Sequence, residues 1–133
     1  MLSKAEKKLE KVSRENIQLK KMDACNLDFD DNYFDGVIAA HLMSVVPDPE
    51  LTLIEIKRVC KPGGKIVILN HFKSKKKIIS KLEDILNPIS KCIGFHTNIE
   101  IDPILESVRL PKIMEEKVNL FKICKLITCI NDK

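Results

Sequence analysis

The clearest change of period along the chain lies between residues 48 and 69. Leu51, Leu53, Ile54, Ile56, Val59 and Cys60 recur at roughly helical spacing, with Glu55, Lys57 and Arg58 polar between them. Asp48 suits the cap of that helix, because its carboxylate can accept from free first-turn N–H groups. Pro49 suits the first helical position, where no N–H is missed. Glu50 suits the positive end of the helix dipole. Lys61-Pro62-Gly63-Gly64 then reads as a tight turn, since Pro fixes φ and Gly permits positive φ. Lys65 to Leu69 is a short run rich in Val and Ile. That run predicts a strand buried on both faces of a parallel sheet, with Val67 and Ile68 among the most buried side chains.

The flanking pattern repeats the theme. Leu2, Ala5, Leu9 and Val12 share one face of a charged helix, which Ser13 to Asn16 break. Ile17 to Met22 alternate well enough for a strand ending at Asp23. Asp28 to Asn32 form an acidic loop around Phe29. Phe34 to Ala40 form a second apolar strand ending in His41. Farther on, Ile78, Ile79, Leu82, Ile85, Leu86 and Ile89 return to helical spacing, with Pro88 ending or kinking the helix near Asn87. Asp102 to Val108 predict a short helix with Pro103 at its first position. Lys112 to Val118 and Lys122 to Ile130 predict two closing strands joined around Asn119. Strands alternating with helices predict a doubly wound α/β domain. Ligands of such sheets sit outside the C-terminal strand ends. Asp23, His41 and His71 fall at those ends.

Composition narrows the classes. A chain of 133 residues, 44% hydrophobic and 32% charged, is read as one globular domain. A net charge of +4 gives no nucleic-acid signature. No apolar run approaches the ~20 residues needed to span a bilayer, and no signal-peptide hydrophobic region stands at the N-terminus. The five cysteines are scattered, with no Cys-x-x-Cys pair. That spacing predicts reduced thiols in a cytoplasmic protein and no metal site. Lys73, Lys75, Lys76 and Lys77 precede the 78–89 helix. The cluster reads either as a peripheral contact for anionic lipid or as a solvated basic turn.

Two motifs carry a resemblance. Ile54-Glu55-Ile56-Lys57-Arg58-Val59-Cys60-Lys61-Pro62-Gly63-Gly64-Lys65 resembles the segment entering the fifth strand of class I S-adenosylmethionine-dependent methyltransferases. Asp23-Ala24 with Leu27, Phe29, Asp31, Asn32, Phe34 and Asp35 resembles that family's motif D-A-x-x-L-P-F-x-D-x-x-F-D. The resemblance implies a partial Rossmann-like fold: parallel strands with helices on both faces, and a C-terminal antiparallel strand pair. It implies S-adenosylmethionine as cofactor, with Asp23 and Ala24 at the adenine edge and Ala40 and His41 beside the methionine part. It makes His41 and His71 candidates for orienting the acceptor or taking its proton, and His96 a weaker candidate.

Shorter echoes narrow the subgroup. Ser44 to Pro49, His71, and Gly94-Phe95-His96 with Asn98 resemble bacterial phospholipid N-methyltransferases and related quinone C-methyltransferases. Asn70 stands where a Glu is usual. The implied acceptor is a small molecule or lipid, with a phospholipid amine as one option.

One departure matters. The family's first strand and Gly-rich cofactor loop would lie upstream of Met1, and no Gly-x-Gly occurs in the chain. Residues 1–133 therefore read as an incomplete methyltransferase domain: a truncated gene model, a split gene or a degenerate paralogue. A catalytic domain, a non-catalytic partner or scaffold, and a peripheral membrane module all stay open. The missing strands also imply an exposed strand edge, hence possible self-association or pairing with a separate fragment.

Overall fold

The computed structural model describes residues 6–7, 16–71, 99–118 and 124–133. Of the helix expected at 2–12 only residues 6–7 are described, and they are helical; the helix expected at 78–89, the Lys73–Lys77 cluster, His96 and the Asn119 connection lie outside the described residues. The described elements run β1 (Phe34–Ala40), α1 (Pro49–Val59), β2 (Cys60–His71), α2 (Ile101–Ser107), β3 (Lys112–Val118) and β4 (Cys124–Ile130). They form a sheet of order β1-β2-β4-β3. β1 and β2 are parallel, while β4 runs antiparallel to both β2 and β3. This is the expected α/β arrangement with its closing antiparallel pair.

Helix α1 starts as its sequence dictates. Leu51 N–H donates to the Asp48 carboxylate at 2.9 Å, and Pro49 opens the helix. Leu53, Ile56 and Val59 are buried, while Leu51 and Ile54 face out. Their neighbours in the core include Ile66, Ile68, Ile101, Leu105, Ile127 and Cys129. Cys60 and Cys129 act as small buried hydrophobes, and burial pushes the Cys129 thiol up to about 11.

The sheet's two faces differ, which corrects one expectation. Ala39, Ile68 and Ile127 stand side by side across three strands, and all are buried. The adjoining row is Ile38, Val67 and Thr128. Val67 is half-buried and Ile38 is 75% exposed. Successive strand residues point to opposite faces, and the described helices cover only the Ile68 face. Ile66, not Val67, shares full burial with Ile68.

The expected turn at 61–64 is a bulge within β2. Phe34 pairs with Cys60 and Gly36 with Lys65, so β2 carries extra residues there. Gly63 takes φ +75°. A Cβ at Gly64 would lie 2.7 Å from Cys60 Sγ and 2.8 Å from the Asp35 carbonyl, so only Gly fits. Asn131 pins the bulge. Its amide Nδ2 donates to the Lys57, Cys60 and Lys61 carbonyls, while Gly63 N–H donates to the Asn131 carbonyl. Pairing with the last residues thus replaces reversal of the chain.

Ile17 to Met22 form no strand ladder. The segment is extended, with Ile17 42% and Leu19 39% exposed. Its alternation was legible, but a ladder needs a neighbour, and β1 pairs only with β2 among the described strands.

Ile68→Ala should destabilise the fold by about 2–5 kcal/mol through cavity formation. Val67→Ala should cost clearly less. Urea unfolding of both variants checks this; equal losses would contradict the two-faced sheet.

Candidate functional site

Two of the expected residues, Ala40 and His41, stand at the C-terminal end of β1. β1 ends at Ala40, which is exposed. His41 follows in a left-handed conformation, φ +53°, and its N–H donates to the Leu69 carbonyl of β2 at 2.7 Å. Few non-Gly residues hold positive φ, and His is among those enriched there. The chain turns off the sheet at this point and buries Met43, Ser44 and Val46 before α1 begins. Ser44 Oγ donates to Asn70 Oδ1 at 3.5 Å, both residues being buried. Asn70 directly precedes His71, which ends β2 opposite Cys124. His41 and His71 thus end adjacent parallel strands.

Asp23 is held in a different way. It closes a turn: Cys25 N–H donates to Asp23 Oδ1 at 2.9 Å, and Asn26 N–H to the Asp23 carbonyl at 3.2 Å. Cys25 Sγ lies 3.3 Å from Thr52 Oγ1 and donates to the Asp48 carbonyl at 3.6 Å. The turn is therefore fastened to the N-terminus of α1, which the loop from His41 has just reached. Asp23 is exposed, and Cys25 N–H engages one of its two carboxylate oxygens. Ala24 adds no bulk beside it.

From that turn the chain runs along α1 toward the start of β1 as a strap. Leu27 N–H donates to Glu55 Oε2 at 2.9 Å. The Arg58 guanidinium donates to Glu55 through Nε at 2.8 Å and Nη2 at 2.9 Å. It also reaches the Leu27 and Phe29 carbonyls and the Asp31 carboxylate, each at 2.8 Å. Asn32 N–H returns a bond to the Arg58 carbonyl at 3.0 Å. Thr52, Glu55 and Arg58 lie three apart, on one line of the helix. Sequence reading took Glu55 and Arg58 only as a polar face; their i, i+3 spacing with Thr52 was the available signal. Arg58 holds the Glu55 carboxyl below the usual carboxylate range, with Leu27 N–H assisting.

Two other concavities differ in character. An open groove of about 600 Å³ is walled by Asp102, Glu106, Arg109, Lys112 and Asp132. It sits at the start of β3, the opposite end of the sheet from His41. A slot of about 540 Å³ lies between alternate residues Asn16, Gln18, Lys20 and Met22 and the ring cluster of Phe29, Tyr33 and Phe34.

Residues 1–68 match the model of a family described as a methyltransferase domain. The chain belongs to that methyltransferase domain family. A phosphatidylethanolamine N-methyltransferase of Cereibacter sphaeroides is 40% identical over 111 residues, covering 83% of this chain and 55% of that protein. A demethylmenaquinone methyltransferase of Staphylococcus epidermidis is 52% identical over 58 residues, 44% of this chain and 24% of that protein. The crystal structure of a SAM-dependent methyltransferase from Aquifex aeolicus superposes with a TM-score of 0.68 at 20% identity, covering 95% of this chain and 61% of that one. The chain spans about half the length of the first relative and a quarter of the second. Within this methyltransferase domain, Asp23, Ala24, Ala40 and His41 fall in the matched region, while His71 lies three residues past its end.

The strap's acid dependence has a definite sign. Glu55 is lowered from an ordinary value of 4.5 in the fold, so its stabilisation is present above that value and is lost as pH falls through the lower folded value. Thermal melts from pH 7 to pH 3 should show the parent losing more stability below about pH 4.5 than Glu55→Gln does. Parallel curves would contradict the assignment.

Proposed function

We propose that this chain serves S-adenosylmethionine-dependent methyl transfer to a small-molecule or lipid acceptor, as the C-terminal part of a methyltransferase domain. The observation that carries the reading is the fastening of the Asp23 turn to the N-terminus of α1, the helix that the loop from His41 leads into. It supports one continuous ligand edge built from sequence-distant residues. When bound, the cofactor supplies the electrophilic methyl group. The Asp23 carboxylate is the right acceptor for an exocyclic amine, and the Ala24 N–H the right donor for a ring nitrogen. Exposed Ala40 leaves room for the methionine part. We assign to His41, and to His71 on the neighbouring strand, the role of orienting the acceptor or taking its proton. The remaining task is proximity and orientation, which needs no nucleophilic triad.

The finer acceptor reading is a phospholipid amine. A relative 40% identical over 83% of this chain is named for phosphatidylethanolamine. The Lys73, Lys75, Lys76 and Lys77 cluster supports it, since basic residues near an anionic surface contribute about 1 kcal/mol each. A cytoplasmic, membrane-peripheral location fits that acceptor.

The domain is incomplete as a cofactor cradle. Among the described residues β1 is an edge strand, Ile38 is 75% exposed, and the 16–22 segment stands extended without a partner strand. Both features suit a gap that further strands fill, from a separate fragment or a second copy. The isolated chain should bind S-adenosylmethionine only weakly, with no saturation below millimolar concentrations in equilibrium dialysis. Adding a separately expressed segment with a strand and Gly-rich loop of the family type should restore binding, and then methylation of phosphatidylethanolamine vesicles. Micromolar affinity in the isolated chain would overturn the incompleteness. No methyl transfer after restored binding would favour a non-catalytic scaffold.

A further inference from the structure

We propose that Arg58 is the positioning residue of the cofactor turn: it fixes the 25–32 strap on α1 and so holds Asp23 and Ala24 at the ligand edge. This rests on the reading of Asp23 as a cofactor contact, and adds a residue that touches no ligand. The geometry is specific. An arginine side chain has five N–H donors in a fixed fork. In Arg58 each has an acceptor: two reach Glu55, two reach strap carbonyls, and one reaches Asp31. Glu55 completes the pattern by accepting Leu27 N–H, so strap and helix are bonded in both directions.

No other described contact has that reach over the strap. Toward the turn, the strap meets α1 through Cys25, at distances of 3.3 and 3.6 Å. Toward β1, Lys133 Nζ donates to Asn32 Oδ1 and to the Arg58 carbonyl, at 3.1 and 2.7 Å. The central stretch, Leu27 to Asp31, depends on the Arg58–Glu55 pair. The strap has no helix or strand of its own between Asn26 and Phe34; its internal contacts are the Phe29 N–H bond to the Leu27 carbonyl and the packing of Phe29 with Tyr33 and Phe34, and none of these ties it to α1. A lysine offers three donors on one nitrogen and cannot span two carbonyls and two carboxylates at once. Arginine is required by geometry as well as by charge.

The test separates the clamp from the cofactor reading. Hydrogen exchange on the whole chain should show Arg58→Ala accelerating the Cys25 to Asn32 amides at least tenfold, with Ile66 to Leu69 and Ile127 to Cys129 within twofold of the parent. Arg58→Lys should fail to restore protection. Uniform acceleration across the sheet, or none in the strap, would overturn the proposal. S-adenosylmethionine titrations of Arg58→Ala, Asp23→Ala and the double variant, read by amide chemical shifts to millimolar concentrations, supply the second arm. The double variant should bind no more weakly than Asp23→Ala alone, because Arg58 acts through Asp23. Losses that multiply would overturn it. If the parent itself shows no shifts, the cofactor reading falls, while strap-confined exchange still upholds the clamp.

Discussion

Helix α1 is bound on three sides, and the rest of the described structure depends on those contacts holding together. Leu53, Ile56 and Val59 bury one side with the core of the sheet. Thr52, Glu55 and Arg58 hold the strap on a second. Lys57 takes a third, donating to the Val108 and Arg109 carbonyls at the end of α2 and to Asp132. Loss of the apolar side would dissolve the core. Loss of the polar line would leave the sheet intact and release the turn that carries Asp23. Stability and ligand geometry thus belong to different faces of one helix.

Much of this was legible in the sequence because it is local. Asp48-Pro49 announced the helix start, the Val- and Ile-rich run announced β2, and Phe34 to Ala40 announced β1 to the residue. What was not legible depends on long-range partners. Pro62-Gly63-Gly64 carries the composition of a turn, yet Asn131, far along the chain, converts it into a bulge. Ile17 to Met22 has the alternation of a strand, but alternation cannot supply a neighbour. Val67 and Ile68 look alike in sequence; the covering of one sheet face separates them. For the proposed site, Asp23, His41 and His71 were chosen because they follow strand ends. The Arg58–Glu55 clamp was missed because charged residues on a helix are usually a solvated face.

The residues at the ligand edge are held by backbone devices more than by side-chain networks. His41 sits at positive φ with its N–H bonded across to β2. Asp23 closes its turn with one carboxylate oxygen. Ser44 and Asn70 join the loop after β1 to the end of β2 beneath that edge. Such an arrangement suits a reaction in which the bound cofactor brings the reactive group and the protein brings position. It also explains why no cluster of catalytic side chains was apparent in the sequence.

The most direct test of the account is where S-adenosylmethionine touches this chain, however weakly. Amide chemical shifts recorded during a titration to millimolar ligand should move at Ala24, Cys25, Ala40 and His41 and stay fixed at Glu106, Arg109 and Lys112, at the far end of the sheet. Shifts centred on that far groove, or none anywhere at saturation of the solution, would contradict the ligand edge described for this methyltransferase domain.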